Sequence, residues 1–293
     1  MKLILLNIII IITIAIVNAS ILADCENNDN NNKQLDDSRN FTGKVVLITG
    51  SSSGMGAGIA KLFAQLGAHV VITGRHLNDI QSVANDCQQL SPNKLKPLEV
   101  LADLTNSTQL QSLLNKTIET YGQLDVLVNN AGISLMASVT DKQFMPVFDK
   151  VLSVNLRPYV ELSHLSVPYL NKTNGNIISI SSFVSTVPLK TNLAYNVAKA
   201  GIDMMTRVLA LELGPNIRVN TINPGVINTS LKSDDPLKDQ MIKHAISRTL
   251  LKRIGQPRDI ADGVVWLASR SASFITGANL YIDGGIRYNF GGQ

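Results

Sequence analysis

The stretch Lys44-Val-Val-Leu-Ile-Thr-Gly-Ser-Ser-Ser-Gly-Met-Gly56 decides the fold. Its first half is apolar and β-branched, the composition of a buried strand. It runs straight into Gly50, Gly54 and Gly56, and Ala57–Leu66 then follows with helical periodicity. A strand that turns on glycines into a helix lets the backbone approach a pyrophosphate closely. The unpaired N–H groups and positive end of the helix then face the anion. A glycine turn alone is common and can be purely structural. Its place at the head of a strand–helix series makes Thr49, Gly50, Ser52, Ser53, Gly54, Met55 and Gly56 candidate nucleotide-binding residues.

The series continues along the chain. Strands are expected at Lys44–Thr49, Val70–Thr73, Leu95–Leu101, Val126–Asn129, Asn176–Ile180, Arg218–Ile222 and Leu280–Asp283. Helices are expected at Ala57–Leu66, Leu77–Leu90, Thr108–Thr120, Phe144–Leu170, Tyr195–Leu213 and Ile260–Ala268, with a kink at Pro158. Near-continuously apolar strands alternating with helices imply a parallel sheet covered on both faces. The expected class is α/β, a doubly wound Rossmann fold of about seven parallel strands.

The 293 residues are 45% hydrophobic and 16% charged, enough apolar material for a core. The formal charge of +4 is not gathered into a stripe, since the longest basic run is Lys252–Arg253, so nucleic acid is not an expected partner. Cys25 and Cys87 make neither a disulfide framework nor a zinc site, and no metal is expected. Composition is uneven at one end. Leu3–Val17 is apolar apart from Asn7 and Thr13, and Val17-Asn-Ala19 suits signal cleavage before Ser20. The rival reading is a retained anchor over residues 3–23. The expected division is 1–19 leader or anchor, 20–42 an Asn/Asp-rich linker, and 43–293 one domain. Either reading puts the domain in the secretory pathway, in the endoplasmic reticulum lumen or outside the cell. Sequons at Asn40, Asn106, Asn115, Asn171 and Asn228 permit glycosylation there. The final residues Tyr288–Gln293 carry no retrieval signal, so retention would depend on the anchor.

Two further features carry chemistry. The second expected strand ends Thr73-Gly74-Arg75, with no carboxylate for a ribose 2′-hydroxyl. Arg75 instead offers a cationic fork for a 2′-phosphate, which favours NADP(H) over NAD; its bland alternative is a solvated surface charge. Tyr195 and Lys199 stand four apart on one helix face, where a lysine cation is expected to lower the phenol pKa and make Tyr195 a proton donor and acceptor. Such a pair is frequent by chance. Ser182, just beyond the strand Asn176–Ile180, adds weight, because strand C-termini face the ligand crevice.

With these residues assembled, the chain resembles the compact, single-domain short-chain dehydrogenases/reductases over residues 43 to about 287. The matching motifs are Thr49-Gly-Ser-Ser-Ser-Gly-Met-Gly56, Asp103–Leu104, Asn129-Asn-Ala-Gly132, Asn155, Ser182 with Tyr195 and Lys199, Pro224–Gly225, and Thr276-Gly with Asp283-Gly-Gly285. Met55, where the family usually has isoleucine, is an apolar packing swap.

The resemblance implies roles by position. Asp103 and Leu104 would meet the adenine, and Asn130, Ala131 and Gly132 would line the adenosine ribose side. Asn155 would hold a water that connects Lys199 to solvent, Ser182 would polarise the substrate carbonyl, and Lys199 would also hold the nicotinamide ribose. Pro224, Gly225, Ile227 and Thr229 would cover the nicotinamide. The implied reaction is hydride transfer between NADP(H) and a carbonyl or secondary alcohol, with Tyr195 as acid/base. It also implies a homodimer or homotetramer through Phe144–Leu170 and Tyr195–Leu213.

Specificity is expected from Ser230–Ile254, where Met241, Ile242, Ala245, Ile246 and Leu250 form an apolar stripe. That stripe favours an apolar substrate such as a steroid, retinoid or xenobiotic ketone, or else simply packs on the core. The rival functions are a non-catalytic nicotinamide-binding sensor or secreted interaction protein, and a 3-ketoacyl carrier reductase.

Overall fold

Successive residues of β1 (Val45–Ile48) enter opposite sides of the protein. Val46 and Ile48 join one buried apolar cluster, and Val45 and Leu47 join another. A strand apolar on both faces must be covered on both, and the chain supplies helices for each. The computed structural model describes residues 39–229 and 236–289. The leader or anchor, nearly all of the linker and the start of the specificity segment lie outside the described residues. By contact the chain divides into Met1–Asn40 and Phe41–Gln293, and every element named below belongs to the second.

The remaining strands are β2 (His69–Gly74), β3 (Leu98–Leu101), β4 (Val126–Asn129), β5 (Asn176–Ile180), β6 (Arg218–Pro224) and β7 (Asn279–Ile282). They form one parallel sheet in the order β3-β2-β1-β4-β5-β6-β7. The chain reverses its winding between β1 and β4, and that reversal opens a crevice at the strand C-termini. Nine helices occur among the described residues. Those before the reversal are α1 (Gly54–Gln65), α2 (Leu77–Leu90) and α3 (Ser107–Tyr121). Then come α4 (Phe144–Asn155), α5 (Arg157–Thr173), α6 (Leu193–Leu213), α7 (Pro236–Arg248), α8 (Pro257–Ala268) and α9 (Ile286–Asn289). Ile59 and Phe63 of α1, Ile80 of α2 and Val264 of α8 cover one face of the sheet. Leu110 and Leu114 of α3 and Leu162 and Leu170 of α5 cover the other. No helix among the described residues is long and apolar enough to cross a membrane.

Three expectations are corrected. The break in the long helical region falls at Leu156, not Pro158, which occupies the first turn of α5. There its missing N–H removes no helical hydrogen bond, so proline starts a helix and does not kink one. β3 begins at Leu98, three residues late, because Pro97 cannot donate to the ladder. On α7 the inward stripe is narrower than expected. Ala245 is buried and Ile242 and Ile246 half-buried, but Met241 and Leu250 are 69% and 53% exposed.

Candidate active site

The loop after β1 is built on absent side chains. Gly50 has φ +62°, and a Cβ there would lie 2.9 Å from Ala131 Cα. A Cβ on Gly56 would overlap the Gly50 carbonyl oxygen and lie 2.6 Å from Asn130 Nδ2. Asn130 staples the loop, donating from Nδ2 to the carbonyls of Thr49 (2.8 Å) and Gly50 (3.3 Å). Thr49 Oγ1 in return accepts from the N–H groups of Asn130 (2.8 Å) and Ala131 (3.1 Å). Ser51 ties the loop to β2 by accepting from Thr73 N at 2.9 Å. Ser53 caps α1 with no side-chain hydrogen bond, and the first turn holds no acidic residue. The helix therefore presents free N–H groups and an uncompensated positive end.

These N–H groups border a cleft of about 340 Å³. Its wall carries Gly50, Ser52–Met55, Arg75, Asp103, Leu104, Asn130–Gly132 and Thr229. Thr49, Gly56 and Pro224 are buried beneath it and do not reach the wall. They shape the site through packing and the bonds above, because the loop turns too tightly to show every residue to solvent. Gly225 and Ile227 instead line a separate hollow of about 80 Å³, where Ile227 pairs with Gly255. Asp79 and Lys150 also stand on the cleft wall and had no sequence signal, since only the folded chain brings their helices there.

The wall fits a nucleotide bound by its pyrophosphate. It has a glycine cradle, a helix N-terminus for the pyrophosphate, and polar atoms in want of partners. Thr73 Oγ1 and Asn130 Oδ1, on two wall residues, are buried with no hydrogen-bond partner among the described residues. Arg75 is exposed at the end of β2, and no hydrogen bond or ion pair among the described residues ties its guanidinium. Asp103 Oδ1 accepts from Thr105 N (2.9 Å) and Oγ1 (2.8 Å). Those two bonds hold its carboxyl below the usual range, helped by the charges of Lys150 and Arg75.

Beyond the cleft wall, β5 and α6 bring the second group together. Ser182 leaves β5 as the cap of a short 3₁₀ turn, Phe183–Ser185, with its hydroxyl accepting from Val184 N at 3.4 Å and close enough to the Tyr195 phenol to favour its ionised form. Lys199, one turn along α6, is only 3% exposed. Its Nζ donates to the Ile180 carbonyl at 2.7 Å. It lies 5.4 Å from the Tyr195 ring centre and 5.6 Å from that of Tyr159.

The expected lowering of the Tyr195 pKa is corrected here. Burial pushes the phenol up to about 12, against the opposing influence of the Ser182 hydroxyl. Burial likewise pulls Lys199 down to about 7, against the attraction of Asp203. The ammonium points at a carbonyl and lies against the ring, so desolvation outweighs its field at the hydroxyl. Tyr195 thus keeps its proton at neutral pH, the state a proton donor needs.

Asn155 is fully buried, and its side chain closes two 2.8 Å bonds with the Ile133 main chain. That amide holds the loop after β4. Tyr159, Asp203 and Asn223 are buried around the Ser–Tyr–Lys group and had not been marked in the sequence. Asp203 was within reach of sequence reasoning, since it stands four residues after Lys199 on the same helix face.

Comparison with known proteins agrees with this geometry. A family model described as enoyl-(acyl carrier protein) reductase matches residues 50–287. A 3-oxoacyl-[acyl-carrier-protein] reductase of Thermotoga maritima is 38% identical, over 83% of this chain and 98% of its own. The chain belongs to the short-chain dehydrogenase/reductase family. An L-fucose dehydrogenase of Mus musculus is 35% identical, over 86% of this chain and 91% of its own. Among solved structures, a 7α-hydroxysteroid dehydrogenase complexed with NADH and 7-oxo glycochenodeoxycholic acid superposes with a TM-score of 0.78 at 30% identity. The match covers 85% of this chain and 96% of that one. Members of this short-chain family are oxidoreductases that use a nicotinamide cofactor, and this chain shares their fold and their small-molecule chemistry.

Proposed function

We propose that this short-chain dehydrogenase/reductase transfers a hydride between NADP(H) and a carbonyl or secondary alcohol. The observation that carries the reading is the meeting of buried Ser182 and Lys199 with Tyr195, Lys199 Nζ lying 5.4 Å from the centre of the tyrosine ring. The nicotinamide nucleotide supplies the hydride when bound. In reduction Tyr195 gives its phenolic proton to the carbonyl oxygen, and Ser182 donates a second hydrogen bond to the charge developing there. Lys199 and a water on Asn155 restore the proton. Gly50, Ser52–Met55 and the N-terminus of α1 hold the pyrophosphate. Asp103, Leu104 and Asn130–Gly132 hold the adenosine, and the segment Pro224–Thr229 covers the nicotinamide. Arg75, whose guanidinium has no hydrogen bond or ion pair among the described residues, takes the 2′-phosphate.

The substrate is apolar. Leu135, Met136 and Val139 are 40%, 64% and 67% exposed on the loop after β4. Ala137 N of that loop donates to Thr191 O at 2.9 Å, which sets an apolar rim beside the start of α6. The enzyme assembles as a dimer or tetramer through α4, α5 and α6, where Met145, Val160 and Met204 are 56%, 49% and 53% exposed. The apolar N-terminus directs the domain to the lumen of the endoplasmic reticulum or outside the cell, with or without retention of residues 3–23 as an anchor. A second reading, 3-ketoacyl carrier reduction, draws on the 38% identity to the Thermotoga maritima enzyme.

The test is turnover of a carbonyl panel by the purified protein with NADPH and with NADH. NADPH oxidation with steroid or aryl ketones supports the reading. Turnover confined to carrier thioesters selects the second, and no turnover at all defeats both.

A further inference from the structure

The Ser–Tyr–Lys group rests on a second layer that is almost wholly buried and carries an acid with no cationic contact of its own. Asp203 is 2% exposed and Asn223, near the end of β6, is 0% exposed. Asn223 Nδ2 lies within donor reach of four oxygens. They are Ser182 O (3.1 Å), Ser185 Oγ (3.0 Å) and both carboxylate oxygens of Asp203 (3.2 and 3.1 Å). Its Oδ1 accepts from Thr221 Oγ1 at 2.9 Å, which settles the direction of the amide. With its two hydrogens, this amide links the main chain of Ser182 on one side to the Asp203 carboxylate on the other.

A buried carboxylate without a cation is costly and is normally neutralised or paired. Among the described residues no Lys or Arg nitrogen lies within ion-pair distance of Asp203, and its side-chain hydrogen bonds come from Asn223 alone. The buried cation nearest in sequence is Lys199, one helical turn away, and the carboxylate attracts it. The other titratable groups facing Lys199 are Tyr195 from α6 and Tyr159 from α5, both uncharged when protonated. Among the described residues the neighbouring strand end brings a neutral group to the ammonium, the carbonyl of Ile180.

We propose that Asp203 is a positioning residue, which acts as the counter-charge of Lys199 and, through Asn223, fixes the main chain of Ser182. The buried carboxylate offsets part of the desolvation that works against the ammonium, and the amide makes it part of the same rigid unit as the serine. This rests on the proposed hydride-transfer function only for its catalytic consequence. The charge relation between Asp203 and Lys199 stands apart from it.

The experiment separates the two. Full-length protein carrying ¹³C-labelled lysine is titrated by NMR, and the Lys199 Cε signal is assigned by its loss in Lys199→Arg. In the wild type the midpoint is expected near 7. Asp203→Asn keeps an acceptor for Asn223 but removes the charge, and the Lys199 midpoint is expected to fall by about one unit or more, tenfold in proton affinity. The alkaline limb of kcat/KM for ketone reduction moves down with it, Asp203→Glu moves it back, and the KM for cofactor stays within about twofold. A Lys199 midpoint unchanged in Asp203→Asn overturns the proposal even if the wild type reduces no ketone. If Asp203→Asn does not fold, Asp203→Glu decides. It displaces the charge by one methylene, and a midpoint and kcat both equal to wild type overturn the proposal. Asn223→Ala reads the other arm, with kcat about tenfold lower and the Lys199 midpoint retained. Wild-type kcat in that variant removes Ser182 from the network.

Discussion

The two halves of the sheet hold their functional groups in opposite ways. Around β1 and β2 the cleft is made by what is missing. Gly50 and Gly56 leave no room for a Cβ, and several polar groups on the cleft wall, the Arg75 guanidinium, Thr73 Oγ1 and Asn130 Oδ1, have no hydrogen-bond partner among the described residues. Around β5 and β6 the site is made by what is buried. Ser182, Lys199, Asp203 and Asn223 are each less than a tenth exposed, and they answer one another in a closed set of hydrogen bonds and charges. The first half binds by shape and leaves its side chains ready for a ligand. The second tunes chemistry by desolvation, so its side chains are already committed. Substitutions should therefore fail differently in the two halves.

The largest effect is expected at the proton donor. Tyr195→Phe should lower kcat for ketone reduction by about 10³-fold with cofactor affinity intact, as steady-state kinetics and a cofactor titration would show. Full turnover in that variant would show that the buried half does no chemistry. Next is Arg75→Ala in the open half. Losing a charge-assisted contact worth about 1.5–3 kcal/mol should raise the KM for NADPH about 10- to 100-fold and leave that for NADH unchanged. Equal losses with both nucleotides would mean that Arg75 reads no 2′-phosphate. Gly56→Ala tests shape directly. The added methyl meets the Gly50 carbonyl and the Asn130 amide, so about 1–3 kcal/mol of stability should be lost, visible as a fall in Tm. Asn130 cannot yield without releasing the loop, so cofactor affinity should fall too.

The smallest effect is a pH slope. The folded protein holds Lys199 near 7, against an ordinary 10.5 in the unfolded chain. Between those values the unfolded state binds a proton that the folded state does not, so this group makes stability rise with pH across that window. Below about 7 both states are charged, and the folded state bears the full cost of burial. Lys199→Met should flatten the rise in urea midpoint between pH 7 and 9. An identical slope in both proteins would place Lys199 in a wetter environment than its burial implies.

Much of the open half was legible before folding. Glycines between a strand and a helix at the head of a strand–helix series point to a phosphate-binding loop, so that loop could be read from spacing. What could not be read was which loop residues face outward. Thr49 and Gly56 look like ligand contacts in the sequence, yet they are buried and work by holding Asn130 and Gly50. In the buried half the order of events was legible and the energetics were not. The four-residue spacing of Tyr195 and Lys199 places them on one face but says nothing of solvent. Water exclusion reversed the expected direction of the Tyr195 pKa.

From sequence come the alternation of strand and helix, the doubly wound class, the family and the Ser–Tyr–Lys set. The first two rest on local periodicity, and the last two on a resemblance carried by motifs spread along the chain. Tertiary structure alone decided the break at Leu156, the commitment of Asn155 to Ile133, and the meeting of Asp203 with Asn223 and Ser182. Those depend on segments 20 or more residues apart closing on each other and shutting out water. The strength of a charge is set by that enclosure, which no local pattern encodes.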